Sequence, residues 1–182
     1  MGKKKSDQNS PKASPILAAV DFSPASEAAL AWAARDAKLR HAPLKILHVV
    51  HDPESAPGYY VRSRRKGHLR RFEEVAWEMM DEFLDRVRRA RPELSAVQDF
   101  EAVILIGLPT TRILDLAREL DVQLIVMGSR GRTGLPHVLL GSKAERVVQL
   151  APMPVTIVKA DAPASEAALP EAVDVHSGGG NP

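Results

Sequence analysis

Cysteine is absent from this chain of 182 residues. That absence excludes disulfides, thiolate metal sites and cysteine nucleophiles. No apolar run reaches the roughly 20 residues that a membrane-spanning helix needs. The N-terminal stretch lacks the apolar segment of a signal peptide, so a cytoplasmic protein is expected. A large charge imbalance is missing as well. The formal net charge is +2, which gives nucleic-acid binding no bulk electrostatic support. Basic character is local, in Lys3-Lys4-Lys5 and in a run from Arg62 to Arg71 that holds Arg64, Arg65, Lys66 and Arg70. Both read as solvated tail or helix face. Two catalytic signatures are also lacking. No G-x-x-x-x-G-K-[ST] P-loop occurs, since Lys143 follows Ser142 rather than preceding it. No G-x-S-x-G elbow is present.

The chain has the size of one domain with tails. Residues 1–14 are rich in Lys, Ser and Pro, and 161–182 in Ala, Pro and Gly. Both are expected to be disordered, which leaves an ordered domain over 15–160. Met1-Gly2-Lys3-Lys4-Lys5-Ser6 fits a myristoylation pattern, one short enough to arise by chance and relevant only in a eukaryotic host. No membrane or nucleic-acid partner is expected.

Within 15–160, short β-branched runs alternate with helical patterns. Strands are predicted at Ile16–Val20, Leu44–Val50, within Val97–Ile106, at Gln123–Met127 and at Pro154–Lys159. A helix carries Phe72, Val75, Ala76, Met79, Phe83 and Val87 on one face. Ser23 and Pro24 open another, as N-cap and first helical residue. Pro109 opens a third, with Ile113, Leu114, Ala117 and Leu120 inward, and residues 142–150 form the fourth. This alternation predicts an α/β fold: an open five-stranded parallel sheet with helices on both faces, in the order 3-2-1-4-5. In that order a crevice opens between the carboxyl ends of strands 1 and 4, where such sheets bind ligands.

Two features fall at that crevice. Strand 1 ends in Asp21. Strand 4 ends at Met127 and runs into Gly128-Ser129-Arg130-Gly131-Arg132-Thr133-Gly134, and the loop continues to Gly141-Ser142 where the fourth helix starts. Glycines let backbone N–H groups approach an oxyanion, and a helix N-terminus adds unpaired N–H groups and partial positive charge. Together they suit a di- or triphosphate. Asp21 is placed to accept from ribose hydroxyls or to help hold a divalent metal. Each feature also has a ligand-free reading. The glycines are common turn residues, Ser142 with Glu145 fits a capping box, and Asp21 simply ends its strand near Ser23.

These segments resemble the universal stress protein family. Gly128-x2-Gly131-x9-Gly141-Ser142 is similar to the family's ATP-binding signature. Asp21-Phe22-Ser23, His48-Val49, Ile106-Gly107-Leu108-Pro109 and Pro154-Val155-Thr156-Ile157-Val158 resemble its other motifs, in order and spacing over 15–160. The resemblance implies a Rossmann-like fold of the adenine-nucleotide alpha-hydrolase type and ATP as ligand, with Mg2+ as a possible companion. It implies that Asp21 contacts the ribose and Val49 the adenine through its backbone. Gly128, Gly131, Gly141 and Ser142 would hold the phosphates, with Arg130 and Met127 close by. Ala19 departs from the family's pattern, where some nucleotide-binding members have proline. The segment Tyr59–Arg71 is variable in the family and does not transfer.

No base is evident for catalysis. His48 and His51 lack a third ligand in the sequence, and His48 reads as a packed, hydrogen-bonded side chain. The expectation is therefore a nucleotide-binding regulator of stress response. A weak Mg2+-dependent ATPase and a dimeric adaptor for a partner protein remain as alternatives. Strand 5 lies at a sheet edge in the expected order, and Val155, Thr156, Ile157 and Val158 are all β-branched. A strand-5 homodimer follows from that edge and from the resemblance.

Overall fold

The predicted elements all form. The computed structural model describes residues 13–51, 72–91, 100–130 and 140–160. The strands are β1 (Ile16–Val20), β2 (Leu44–Val50), β3 (Phe100–Ile106), β4 (Leu124–Gly128) and β5 (Val155–Val158). The helices are α1 (Pro24–Arg40), α2 (Phe72–Ala90), α3 (Pro109–Glu119) and α4 (Ser142–Leu150). The strands make one parallel sheet in the order β3-β2-β1-β4-β5. Gly131, the basic run 62–71, the segment before Ala13 and the segment beyond 160 lie outside the described residues.

Central strands of such a sheet are covered on both faces, so they read as continuous apolar runs rather than alternating ones. All of β1 is buried. Its Ile16, Ala18 and Val20 enter one core with α1 and α2, while Leu17 and Ala19 enter a second with α3 and α4. α1 meets the sheet with small residues, among them the buried Ala25, Ala29, Ala33 and Ala37, which permits close approach. On α2 the buried face is Ala76, Met80, Phe83, Leu84 and Val87. Met79, expected inward, is half-buried, and its neighbour Met80 takes the core position. The side chain of Phe72 lies outside what is described. On α3, Ile113, Leu114 and Ala117 face inward as expected, Leu116 joins them, and Leu120 is half-buried against the same core. Among the described residues no helix is long and apolar enough to cross a membrane.

Gly107, between β3 and α3, has φ of +137°, a backbone region in which glycine is at home. Its N–H donates to the Val50 carbonyl at 2.9 Å and ties the ends of β2 and β3 together.

Candidate functional site

At the carboxyl end of β1 the chain turns sharply through Asp21-Phe22-Ser23. Phe22 has φ of +65°, a conformation in which a bulky residue is an outlier. Its ring stacks on His48 with centroids 4.1 Å apart and tilts against Phe83 at 5.3 Å. The His48 Nδ1–H donates to the Val20 carbonyl at 2.9 Å, and the side chain is buried. His48 is thus the packed, hydrogen-bonded residue that was expected.

Ser23 is the N-cap of α1, and its Oγ accepts from the Ser26 N–H at 3.2 Å. Asp21 Oδ1 accepts from Ser23 Oγ at 2.6 Å, from the Ser23 N–H at 3.2 Å and from Ser26 Oγ. The Asp21 N–H in turn donates to Ser26 Oγ at 2.9 Å. The strand-ending reading of Asp21 therefore describes Oδ1, which belongs to the start of α1. The half-buried carboxylate still has Oδ2, which makes no hydrogen bond to the described residues.

The end of β4 is built differently. A Cβ on Gly128 would lie 2.8 Å from the Ala25 carbonyl carbon and 2.9 Å from Ala25 Cβ. Glycine here lets α1 close onto β4, a packing reason that the sequence reading did not contain. Met127 is buried in the α3–α4 core, so only its backbone is available to the crevice. Ser129, also buried, fastens the loop: its N–H donates to the Val158 carbonyl at 2.7 Å and its carbonyl accepts from the Gly141 N–H at 2.8 Å. The chain that leaves at Arg130 therefore returns to the same place at Gly141. Arg130 is exposed, and its carbonyl lies 3.4 Å from Ser23 Oγ.

The N-cap of α4 is Gly141, with no side-chain capping bond, and Ser142 is the first helical residue. The capping-box reading of Ser142 with Glu145 is corrected by this geometry. A hydroxyl one position inside the helix is not placed to accept from the N–H groups of the first turn, and Gly141 brings no side chain that does. The first N–H groups of a helix have no acceptor within it. Here they stand, with the positive end of the helix dipole, beside β4, whose neighbour β1 ends in Asp21.

Val49 lies at the third wall. The last paired residues of β1 and β2 are Val20 and His48. The Val50 carbonyl accepts from Gly107 on the β3 side. Successive carbonyls point to opposite edges of a strand, so the Val49 carbonyl faces the β1 side, one step beyond the last β1 pair. The site thus offers acceptors at Asp21 and Val49 and donors at the start of α4. Among the described residues no cluster of three or more acidic or His residues is suited to a metal. A groove of about 430 Å³ lined by Ser14, Pro43, Lys45, Glu101 and Asp121 lies at the opposite end of the strands.

Asp21, Val49, Gly128, Arg130, Gly141 and Ser142 fall at this end of the sheet, while Gly131 lies outside the described residues. The sequence reading missed Ser26 and Ser129. The spacing of Ser26 three residues after the cap was the available signal for the first. Nothing local marks Ser129.

Residues 13–159 match the universal stress protein family. Universal stress protein YxiE of Bacillus subtilis is 37% identical over 151 residues, which cover 79% of this chain and 97% of that protein. Universal stress protein MJ0577 of Methanocaldococcus jannaschii is 30% identical over 152 residues, or 79% of this chain and 93% of that protein. A solved structure of MJ0577 aligns with a TM-score of 0.60 at 28% identity, over 82% of this chain and 97% of that one. A universal stress protein from Archaeoglobus fulgidus, solved in complex with dAMP, aligns with a TM-score of 0.53 at 27% identity, over 80% of this chain and 97% of that one.

Proposed function

The chain belongs to the universal stress protein family, and from that premise we propose that it is a nucleotide-dependent regulator of stress response that binds ATP between β1 and β4. The observation that carries this reading is the Ser129–Gly141 hydrogen bond. It returns the loop to the end of β4 and sets an α4 start without side-chain cap beside the strand that ends in Asp21. Phosphate oxygens suit those N–H groups. In this reading Gly128, Arg130, Gly131, Gly141 and Ser142 surround the phosphates, with the Met127 backbone next to them. Asp21 Oδ2 accepts from the ribose, and the Val49 carbonyl accepts from the adenine amino group. Mg2+, where present, accompanies the phosphates. The dAMP complex of the Archaeoglobus fulgidus relative supports an adenine nucleotide as the ligand class.

The protein is read as a binder rather than a hydrolase, because its sequence carries no P-loop lysine and no evident base for water. A cytoplasmic location goes with that reading. The same chain forms a homodimer through β5, which is the edge strand next to β4 and whose residues are all half-exposed. Val155, Thr156, Ile157 and Val158 of the two copies pair across the twofold axis. The test is mass spectrometry of small molecules released on denaturing the purified full chain, with the melting temperature measured with and without ATP. Retained ATP, or a rise in melting temperature that Asp21→Ala removes, is expected. No released nucleotide and no ATP-dependent rise would overturn the reading.

A further inference from the structure

Among the described residues, Phe22 is the aromatic at the crevice with a strained backbone. A turn at φ of +65° is normally given to glycine or asparagine. An aromatic ring that occupies such a position must be held by its packing. Here its holders come from two directions. His48, fixed to the Val20 carbonyl, stacks on one face. Phe83, from the middle of α2, packs at 5.3 Å. Phe83 is itself backed by Arg86, whose guanidinium lies 5.5 Å from the ring and whose Nε donates to Glu27 Oε1 in the first turn of α1. The contacts close a circuit from β1 through β2 and α2 to α1.

Inside that circuit lies the Asp21-Phe22-Ser23 turn. Its geometry puts Ser23 and Ser26 on Asp21 Oδ1. We propose that Phe22 is a positioning residue for Asp21. The ring, packed against both His48 and Phe83, holds the strained turn shut, and the shut turn aims Asp21 Oδ2 at the ribose hydroxyls of the nucleotide. The proposal rests on the nucleotide reading given above. It adds that the ribose acceptor is set by α2, an element that contributes no residue to the phosphate loop.

The test compares the parent with Phe22→Ala, Phe22→Gly, Phe22→Tyr and Phe83→Leu. Alanine removes the ring and keeps the strained φ, so the turn loses its holder. Glycine removes the ring and the strain together, so this variant is expected to fold and to need no holder. Affinities for ATP and for 2′,3′-dideoxy-ATP are measured by calorimetry. The parent prefers ATP by about tenfold, the size of a hydrogen bond to a charged group. Phe22→Ala brings that ratio close to one, Phe83→Leu lowers it partway, Phe22→Tyr keeps it, and Phe22→Gly stays nearer the parent than Phe22→Ala does. A purely structural role would weaken both nucleotides alike and leave the ratio intact, and that result overturns the proposal. The second readout needs no nucleotide. Amide exchange at Asp21 and Ser26, whose N–H groups donate inside the turn, accelerates in Phe22→Ala while β4 amides do not change. Unchanged exchange at Asp21 and Ser26 also overturns the proposal. If the parent binds neither nucleotide yet Phe22→Ala opens the turn, the ribose role falls with the nucleotide reading and the holding role of Phe22 stands.

Discussion

Two helices start at the same end of the sheet, and they start in opposite ways. α1 is closed by its own residues. Ser23 caps it, Ser26 returns a hydroxyl to Asp21, and a carboxylate oxygen sits over the turn. α4 begins at Gly141 with no side-chain cap, fastened only by the backbone bond from Gly141 to Ser129. The difference teaches that a helix N-terminus keeps its first N–H groups open only where the protein supplies no side-chain cap of its own. α3 guards against reading too much into one missing cap. Its N-cap, Leu108, also makes no side-chain bond. Yet α3 starts beyond β3, at the outer edge of the sheet, and Pro109 has no N–H to offer. What distinguishes α4 is its place at the switch point as well as its open end.

The largest effect is expected where α1 closes onto β4 over one glycine. Gly128→Ala drives a Cβ against the Ala25 backbone. Overpacking of this kind costs about 2 kcal/mol, to be read as a lower urea midpoint with unchanged slope. A midpoint within error of the parent would mean that α1 does not need the close approach. Next, Gly141→Asp makes the start of α4 resemble that of α1. Its backbone, at φ −71° and ψ 145°, already suits an acidic N-cap, so stability should rise by a few tenths of a kcal/mol. ATP affinity should fall by about tenfold or more, because the new carboxylate takes the N–H groups and repels phosphate. Equal ATP affinity would sink the role of the α4 start in binding.

Ser23→Ala removes the cap of α1 and one partner of Asp21, and should lower stability by about 1 kcal/mol in thermal or chemical unfolding. The smallest effect belongs to Ser142→Ala. As the first helical residue it caps nothing, so stability should change by less than about 0.5 kcal/mol. A loss as large as that of Ser23→Ala would restore the capping-box reading.

Much of this end of the molecule was legible in the sequence. Ser23 before Pro24, the apolar run that stops before Asp21 and Gly128 after Met127 are local signals, and each lies where the sequence placed it. The α2 face was legible to within one residue: periodicity marked Met79, while the core took Met80. Such a slip is natural when two methionines are adjacent and the tilt of the helix on the sheet decides between them. The cap of α4 was misread for a related reason. Serine followed three residues later by glutamate satisfies the capping pattern, but the pattern does not say where the first helical turn begins. The Ser129–Gly141 bond decides that, from outside the helix.

The sequence by itself determined the order of elements, the parallel sheet and the end of that sheet where Asp21 and the glycine loop meet. Those follow from short-range periodicity, from residues with special backbone freedom and from the few permitted ways of connecting parallel strands. Only the tertiary structure decided why Gly128 must be glycine, why Phe22 tolerates its turn and which helix start stays open. Each depends on a contact between residues far apart in the chain: Ala25 with Gly128, His48 and Phe83 with Phe22, Ser129 with Gly141. Local sequence sets what a segment can do, whereas the close packing of distant segments selects which of those options the folded chain keeps.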